Sequence, residues 1–274
     1  MTAAPDRDTG AVRGVLVGGG SHARRVLPAD LLVEQFDTRS LPWGLPTGLA
    51  RIDEMTGGMV PGQVWVVVAE PGHGRTTLLL QLAAKYAALT DRTIFVESPR
   101  EPAELCTARL LACLGKHPLR EVLSGDLDSD ERLLHTRQRL AQSGLALSAS
   151  GSSRQAARWD QLLDHHPAAL LVDDLDLLVG ASPQRVAAWA ATGAFVCVTL
   201  PRHLVVRGAR GDLDPGWARV ADLVLDVRLH GAGADESQDR LGEADLSVLK
   251  NRRGPLWVST VEFEGHYSRF VALR

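Results

Sequence analysis

The 274-residue chain predicts an α/β fold: a mainly parallel sheet flanked by helices, with an antiparallel extension at its C-terminal end. Three observations carry that prediction. In the stretch 64–83, the apolar run Val64, Trp65, Val66, Val67, Val68 passes through a glycine turn into a helix-spaced stripe of Leu78, Leu79, Leu82 and Ala83. From there, short apolar runs alternate with helical periods, the pattern of strands joined by crossover helices. The run Ala168-Ala-Leu-Leu-Val-Asp-Asp-Leu-Asp176 is a strand that ends in acids, and in a parallel sheet the carboxyl ends of strands line the ligand crevice.

Residues 1–25, rich in glycine, alanine and charge around Gly18-Gly-Gly20, read as a mobile leader; Leu31, Leu32, Gln35 and Phe36 place a short amphipathic helix in 28–36. The expected division is a leader over 1–40 carrying that linker helix, and one domain over 41–274. A turn, a short helix over 52–55 and a glycine-rich approach (Gly57, Gly58, Gly62) lead into the strand 64–68. After the loop helix, 93–97 reads as a strand and 103–114 as a helix opened by Pro102. Residues 119–143 read as helical with Leu133, Leu134 and Leu140 facing inward, 145–149 as a short strand, 154–164 as a helix. Beyond the acid-ended strand come a helix over 183–192 and a strand over 194–200. Residues 201–217 read as a mobile basic loop at the same end of the sheet, carrying Arg202, His203, Arg207 and Arg210. The runs 223–229, 244–249, 258–263 and 270–273 are strand-like and joined without long helices, hence the antiparallel extension; 231–242 reads as a flexible connection.

The composition is that of a globular protein, and a net charge of −3 excludes a surface coated for nucleic acid, so any such contact needs a local basic patch. No apolar run approaches the ~20 residues of a membrane span, and the polar, mixed-charge N-terminus is not a signal peptide. Cys106, Cys113 and Cys197 are too few and scattered for a disulfide framework or a zinc site, and read as buried thiols of a cytoplasmic protein. His165 and His166 read as surface loop residues.

Against the phosphate-loop pattern Gly-x-x-x-x-Gly-Lys-[Ser/Thr], Ala69 stands at the first glycine, Gly74 at the second, Arg75 at the lysine and Thr76 at the hydroxyl. The turn aims backbone N–H groups and a helix N-terminus at one point, which attracts phosphate. The expected nucleotide-binding set is therefore Glu70, Pro71, Gly72, His73, Gly74, Arg75, Thr76 and Thr77. Arg75 keeps the positive charge of lysine but is a bulkier planar fork. Asp173 is expected beside the loop, where with the Thr76 hydroxyl it would hold Mg²⁺. For the basic loop, polyanion contact and a plain solvated loop are equal readings.

In this order, the segments resemble the C-terminal ATPase domain of DnaB-type hexameric replicative helicases, a branch of the RecA-like P-loop fold. The stretch 45–62 is similar to the family's lead-in, Ala69-Glu-Pro-Gly-His-Gly-Arg-Thr76 to its phosphate loop, and Val172-Asp-Asp-Leu-Asp-Leu177 to its Walker B strand. Ala221-Asp-Leu-Val-Leu225 is similar to a later strand, and Lys250-Asn-Arg-Arg-Gly-Pro255 with Tyr267-Ser-Arg-Phe270 to its Lys-x-Arg-x-Gly-Pro segment and last strand. The resemblance implies ATP and Mg²⁺ as cofactors, a homo-oligomer such as a hexameric ring, and single-stranded DNA and replication proteins as partners; the basic loop offers Arg202, Arg207 and Arg210 as the DNA contacts. The resemblance also implies that Lys250 and Arg252 reach the γ-phosphate held by the neighbouring subunit, where a cation neutralises charge developing in the transition state. The chain departs from the family at several points. The catalytic-glutamate position aligns with Pro99, leaving Glu97 as the residue to position water and Glu101 as the next. Two glutamine positions hold Leu200 and Asp176, and no counterpart of the N-terminal collar is expected. Two functions follow: an oligomeric motor that hydrolyses ATP on single-stranded DNA, or a nucleotide-gated binding or scaffolding protein derived from a helicase domain.

Overall fold

The computed structural model describes residues 15–17, 24–26, 44–125, 130–149, 157–208, 211–232 and 240–273. The chain divides into two units, Met1–Pro42 and Trp43–Arg274. In the first, strands β1 (Val15–Val17) and β2 (Arg24–Val26) pair antiparallel. The helix expected over 28–36 and the glycines 18–20 lie outside the described residues.

The second unit holds a nine-stranded sheet. Its parallel part consists of β3 (Val64–Ala69), β4 (Ile94–Ser98), β5 (Leu145–Ala149), β6 (Ala169–Val172), β7 (Phe195–Pro201) and β10 (Leu223–Leu229), in the spatial order β10-β3-β7-β6-β4-β5. β11 (Glu243–Asn251), β12 (Val258–Glu264) and β13 (Arg269–Ala272) extend it antiparallel beyond β10, as the sequence predicts. Every residue of β3 is buried, which suits a central strand covered on both faces. Alternation along it serves two cores. Trp65, Val67 and Ala69 pack with Leu78, Leu79 and Leu82 of helix Arg75–Ala87, while Val64, Val66 and Val68 pack with Trp189 and Trp217 on the other side. The carboxyl ends of β3, β7, β6 and β4 therefore lie side by side at one edge, where the functional residues collect.

Two expectations are corrected. Residues 119–143 do not form one helix: Leu119–Ser124 stops at Gly125, left-handed at φ 81°, and Glu131–Ala141 starts afresh at Asp130, whose carboxylate accepts the Arg132 and Leu133 N–H groups. Leu133 is buried, but Leu134, one step around the helix, is 43% exposed and leaves the inner stripe. Nor do the described residues of 201–217 form a mobile loop. They fold into helix Arg202–Val205, the two-residue strands β8 (Val206–Arg207) and β9 (Asp212–Leu213), and the start of helix Pro215–Val220. Buried Val205, Val206 and Trp217 anchor the segment, and Asp214 caps the last helix by accepting from Gly216 and Trp217. Most of the connection expected over 231–242 lies outside the described residues.

Cys106 and Cys197 are buried, and burial pushes the Cys106 and Cys113 thiols up to about 11, so all of these remain thiols at neutral pH. Among the described residues no helix is long and apolar enough to cross a membrane.

The edge strand β13 is tied to the loop helix rather than left open. The Gln81 side chain donates to the Phe270 carbonyl at 2.9 Å and accepts the Phe270 N–H at 2.7 Å. A second tie crosses β10, β11 and β12. Asp245 accepts from Arg240 and Thr260, each at 2.8 Å, and pairs with His230 at 2.8 Å. Chiefly Arg240, with Thr260 and His230, holds the Asp245 carboxyl well below its ordinary value of 3.8. A depressed acid contributes stability that is present above the unfolded value and lost as pH falls through the folded one. Asp245→Asn is accordingly expected to lower the melting temperature at neutral pH, and the gap to the unaltered chain to narrow below about pH 4. Thermal melts across that range check it.

Candidate nucleotide site

β3 delivers the chain into the turn 70–74 between the ends of two parallel neighbours: Ala69 is in register with Pro201 of β7, and Val68 with Asp226 of β10. Gly72 and Gly74 take φ of 85° and 86°, a region that L side chains rarely adopt. They turn the chain back into helix Arg75–Ala87, thirteen residues long. Its N-cap, Gly74, supplies no side-chain hydrogen bond, and no acid lies in its first turn. Helix dipole and first-turn amides thus converge with no acid of the helix's own first turn to meet them. The space over Gly72 is open, with no atom within 4 Å of where a Cβ would stand. Glu70, Pro71 and Gly72 are exposed and Thr77 is buried. His73 braces the turn from the side, its Nδ1 accepting the Leu229 N–H at 2.9 Å.

Two adjacent acids at the end of β6 divide the remaining polar groups between them. Asp173 is fully buried and collects hydroxyls: Thr76 donates at 2.8 Å, Thr199 at 2.6 Å and Ser98 at 3.3 Å. Burial, opposed by the Thr199 hydrogen bond, pushes its carboxyl above the ordinary aspartate value. Asp174 collects guanidinium groups instead. Arg75 Nη2 donates to Oδ1 at 3.1 Å and Arg100 Nε to Oδ2 at 2.7 Å, while Thr199 accepts the Asp174 N–H at 2.8 Å. Asp174 sits at φ 43°, ψ 56°, a left-handed conformation that costs a non-glycine residue about 1–2 kcal/mol. Arg75 also donates to the Ala69 carbonyl at 3.3 Å, so its fork lies along the base of the loop rather than over it.

The structure brings Thr76 and Asp173 together and sets the other expected residues in different surroundings. Glu97 is 1% exposed, in register with Ser148 and Val172, and its carbonyl accepts the Asp173 N–H at 2.8 Å. Glu101 is clasped by Arg109 through two hydrogen bonds of 3.0 Å. Lys250 and Arg252 lie at the opposite end of the sheet. Lys250 is in register with Val224, and Val224 with Val66, so the three residue steps from Val66 to Ala69 set it back from the loop of its own chain by roughly 10 Å along the strand direction. There Lys250 donates to the Ala218 carbonyl, and Arg252 to the Arg219 carbonyl at 3.0 Å while pairing with Asp222 at 3.2 Å. Burial and the Arg252 charge pull the Lys250 ammonium below its ordinary value. Arg202 is paired with Asp226 at 2.8 Å and Arg207 with Asp214; Arg210 lies outside the described residues.

Three residues of the cluster escape a reading by pattern: Arg100, Asp174 and Thr199. The doubled acid Asp173-Asp174 was the available signal for Asp174. Thr199 bonds both acids one residue before the expected polar position, Leu200, which is buried.

The donors present fit a phosphate chain with its metal. An uncapped helix N-terminus under an open glycine suits the phosphates, and the Thr76 hydroxyl 2.8 Å from an Asp173 oxygen is the hard oxygen pair that Mg²⁺ takes.

The chain is similar to known proteins in sequence and in fold. A family model described as the DnaB-like helicase C terminal domain matches residues 44–188. A replicative DNA helicase DnaB of Leifsonia xyli subsp. xyli is 30% identical over 255 residues, covering 83% of this chain and 56% of that protein. A replicative DNA helicase DnaC of Bacillus subtilis is 26% identical over 281 residues, covering 89% and 61%. The chain thus spans about half the length of the curated relatives it matches. Among solved structures, one described as an ATPase domain superposes with a TM-score of 0.72 at 17% identity, covering 89% of this chain and 96% of that one. A DnaB-like replicative helicase, described with its interactions with primase, gives 0.73 at 16%, covering 89% and 65%. These two likenesses show a shared RecA-like fold.

Proposed function

Because the chain belongs to the family of DnaB-like helicase C-terminal domains, we propose that it is an ATP-binding motor domain that works as an oligomer on single-stranded DNA through ATP hydrolysis. The observation that carries the reading is the Thr76–Asp173 contact at the mouth of an uncapped helix N-terminus. In this proposal the amides of 72–77 hold phosphates, and Thr76 and Asp173 hold Mg²⁺, which neutralises phosphate charge when bound. Glu97 orients water. Lys250 and Arg252 serve a neighbour's nucleotide: their position at the far end of the sheet from their own loop supports action across an interface, in an assembly whose contacts are head to tail. For that they exchange the carbonyls of 218 and 219 for phosphate. Arg202, Arg207 and Arg210 contact DNA in the same reading, and replication proteins are the expected partners.

A second reading, a nucleotide-gated binder with little turnover, is favoured by the hold of Asp174 on Arg75 and of Arg109 on Glu101. One preparation separates the two: mass in solution with ATP and Mg²⁺, then ATP turnover with and without single-stranded DNA. The motor predicts a species larger than a monomer and DNA-stimulated turnover. Turnover no higher than that of Arg75→Ala overturns hydrolysis and leaves the gated binder.

A further inference from the structure

Arg100 has no part in the roles assigned so far, yet it is bonded to the same carboxylate that holds Arg75. It follows Ser98 and Pro99 at the carboxyl end of β4, the strand beyond β6 as counted from the loop. Its Nε meets one oxygen of Asp174 at 2.7 Å while Arg75 meets the other at 3.1 Å, so two guanidinium groups flank one carboxylate. Their surroundings differ. The Arg75 side chain is 12% exposed, whereas that of Arg100 is 62% exposed and engages Asp174 through Nε rather than through the ends of its fork. Asp174, which reaches both arginines, follows Asp173, whose bond to Thr76 ties it to the first turn of the loop helix, so both guanidinium groups lie beside the expected phosphate and metal position.

We propose that Arg100 is a second cation of this site, supplied by the same chain, that binds the terminal phosphate of a nucleoside triphosphate and is held on Asp174, together with Arg75, when no nucleotide is bound. The proposal rests on the nucleotide-site reading above. An Arg–phosphate contact is charge-assisted and forked, and Asp174 offers the same chemistry in weaker form, one oxygen to each guanidinium. A phosphate arriving at the loop would draw both forks from the carboxylate. Arginine cannot accept a proton from water, so a cation here serves to hold the triphosphate rather than to activate a nucleophile.

The consequence is discrimination by phosphate number. The test is equilibrium binding of a fluorescent ADP and a fluorescent non-hydrolysable ATP analogue, with Mg²⁺, to the unaltered chain, Arg100→Ala and Arg100→Lys, with a thermal melt of each. Arg100→Ala is expected to weaken the triphosphate by about tenfold or more and the diphosphate by less than about threefold, with Arg100→Lys in between. If Arg100→Ala weakens both equally, or neither, the proposal is overturned, and a melting shift without selective loss assigns Arg100 to bracing Asp174 alone. If the unaltered chain binds neither nucleotide, the nucleotide site falls and this proposal with it. Loss confined to the proposal leaves the diphosphate bound.

Discussion

Asp173→Asn is expected to abolish the magnesium dependence of ATP binding while leaving the chain folded. The carboxylate stands at the end of β6 with both oxygens committed to hydroxyls, and the Thr76 contact at 2.8 Å gives the two oxygen ligands one shared position. An amide in its place retains one acceptor oxygen and presents N–H groups where a divalent cation needs negative charge. Affinity for ATP in the presence of Mg²⁺ should drop on the order of tenfold to a hundredfold, to the value measured in EDTA. Stability should hardly change, because burial already raises the Asp173 carboxyl and an amide carries no charge to desolvate. Titrations with and without the metal, beside thermal melts, check both halves; a variant that keeps its magnesium dependence removes Asp173 from the metal site.

Gly74→Ala and Gly72→Ala are expected to part company although both glycines have nearly the same positive φ. A methyl at Gly72 meets open space, so the cost is the backbone strain, about 1–2 kcal/mol, and the methyl stands where phosphate is expected. A methyl at Gly74 lies 2.8 Å from Cζ of Phe270. That ring cannot retreat freely: its backbone is bonded to Gln81 on both sides and its face meets Phe263 at 4.9 Å. Overpacking adds about 1–3 kcal/mol to the strain. Gly74→Ala should therefore lose both stability and nucleotide, and Gly72→Ala chiefly nucleotide. Denaturant unfolding and ATP-analogue binding on both variants separate these outcomes.

The parallel sheet was legible because its strands are buried on both faces and so read as unbroken apolar runs, as in 64–68 and 168–172. The loop was legible from glycines at a fixed offset from that strand, and Asp173 from its place at a strand end. The Arg75–Asp174–Arg100 cluster was not, because it joins residues 99 and 74 positions apart whose meeting depends on β6 lying between β7 and β4. Spacing along the chain carries no such order. The structured 201–217 segment was missed for a different reason. Its charge and glycines masked three anchors, Val205, Val206 and Trp217, whose burial is a tertiary fact. The break at Gly125 and Asp130 could have been read, since a glycine followed by a capping acid is a helix stop and start.

An ATP site shared between subunits is measured most directly by complementation of two inactive variants. Asp173→Ala lacks the metal ligand but keeps the basic pair; Arg252→Ala keeps the loop but lacks one of the cations offered to a neighbour. Each alone should show background ATP turnover. Mixed in equal amounts, they should recover roughly a quarter of the unaltered rate, the chance that a head-to-tail interface joins an intact loop to an intact arginine. A mixture that stays at background, while the unaltered chain turns ATP over, contradicts a shared site.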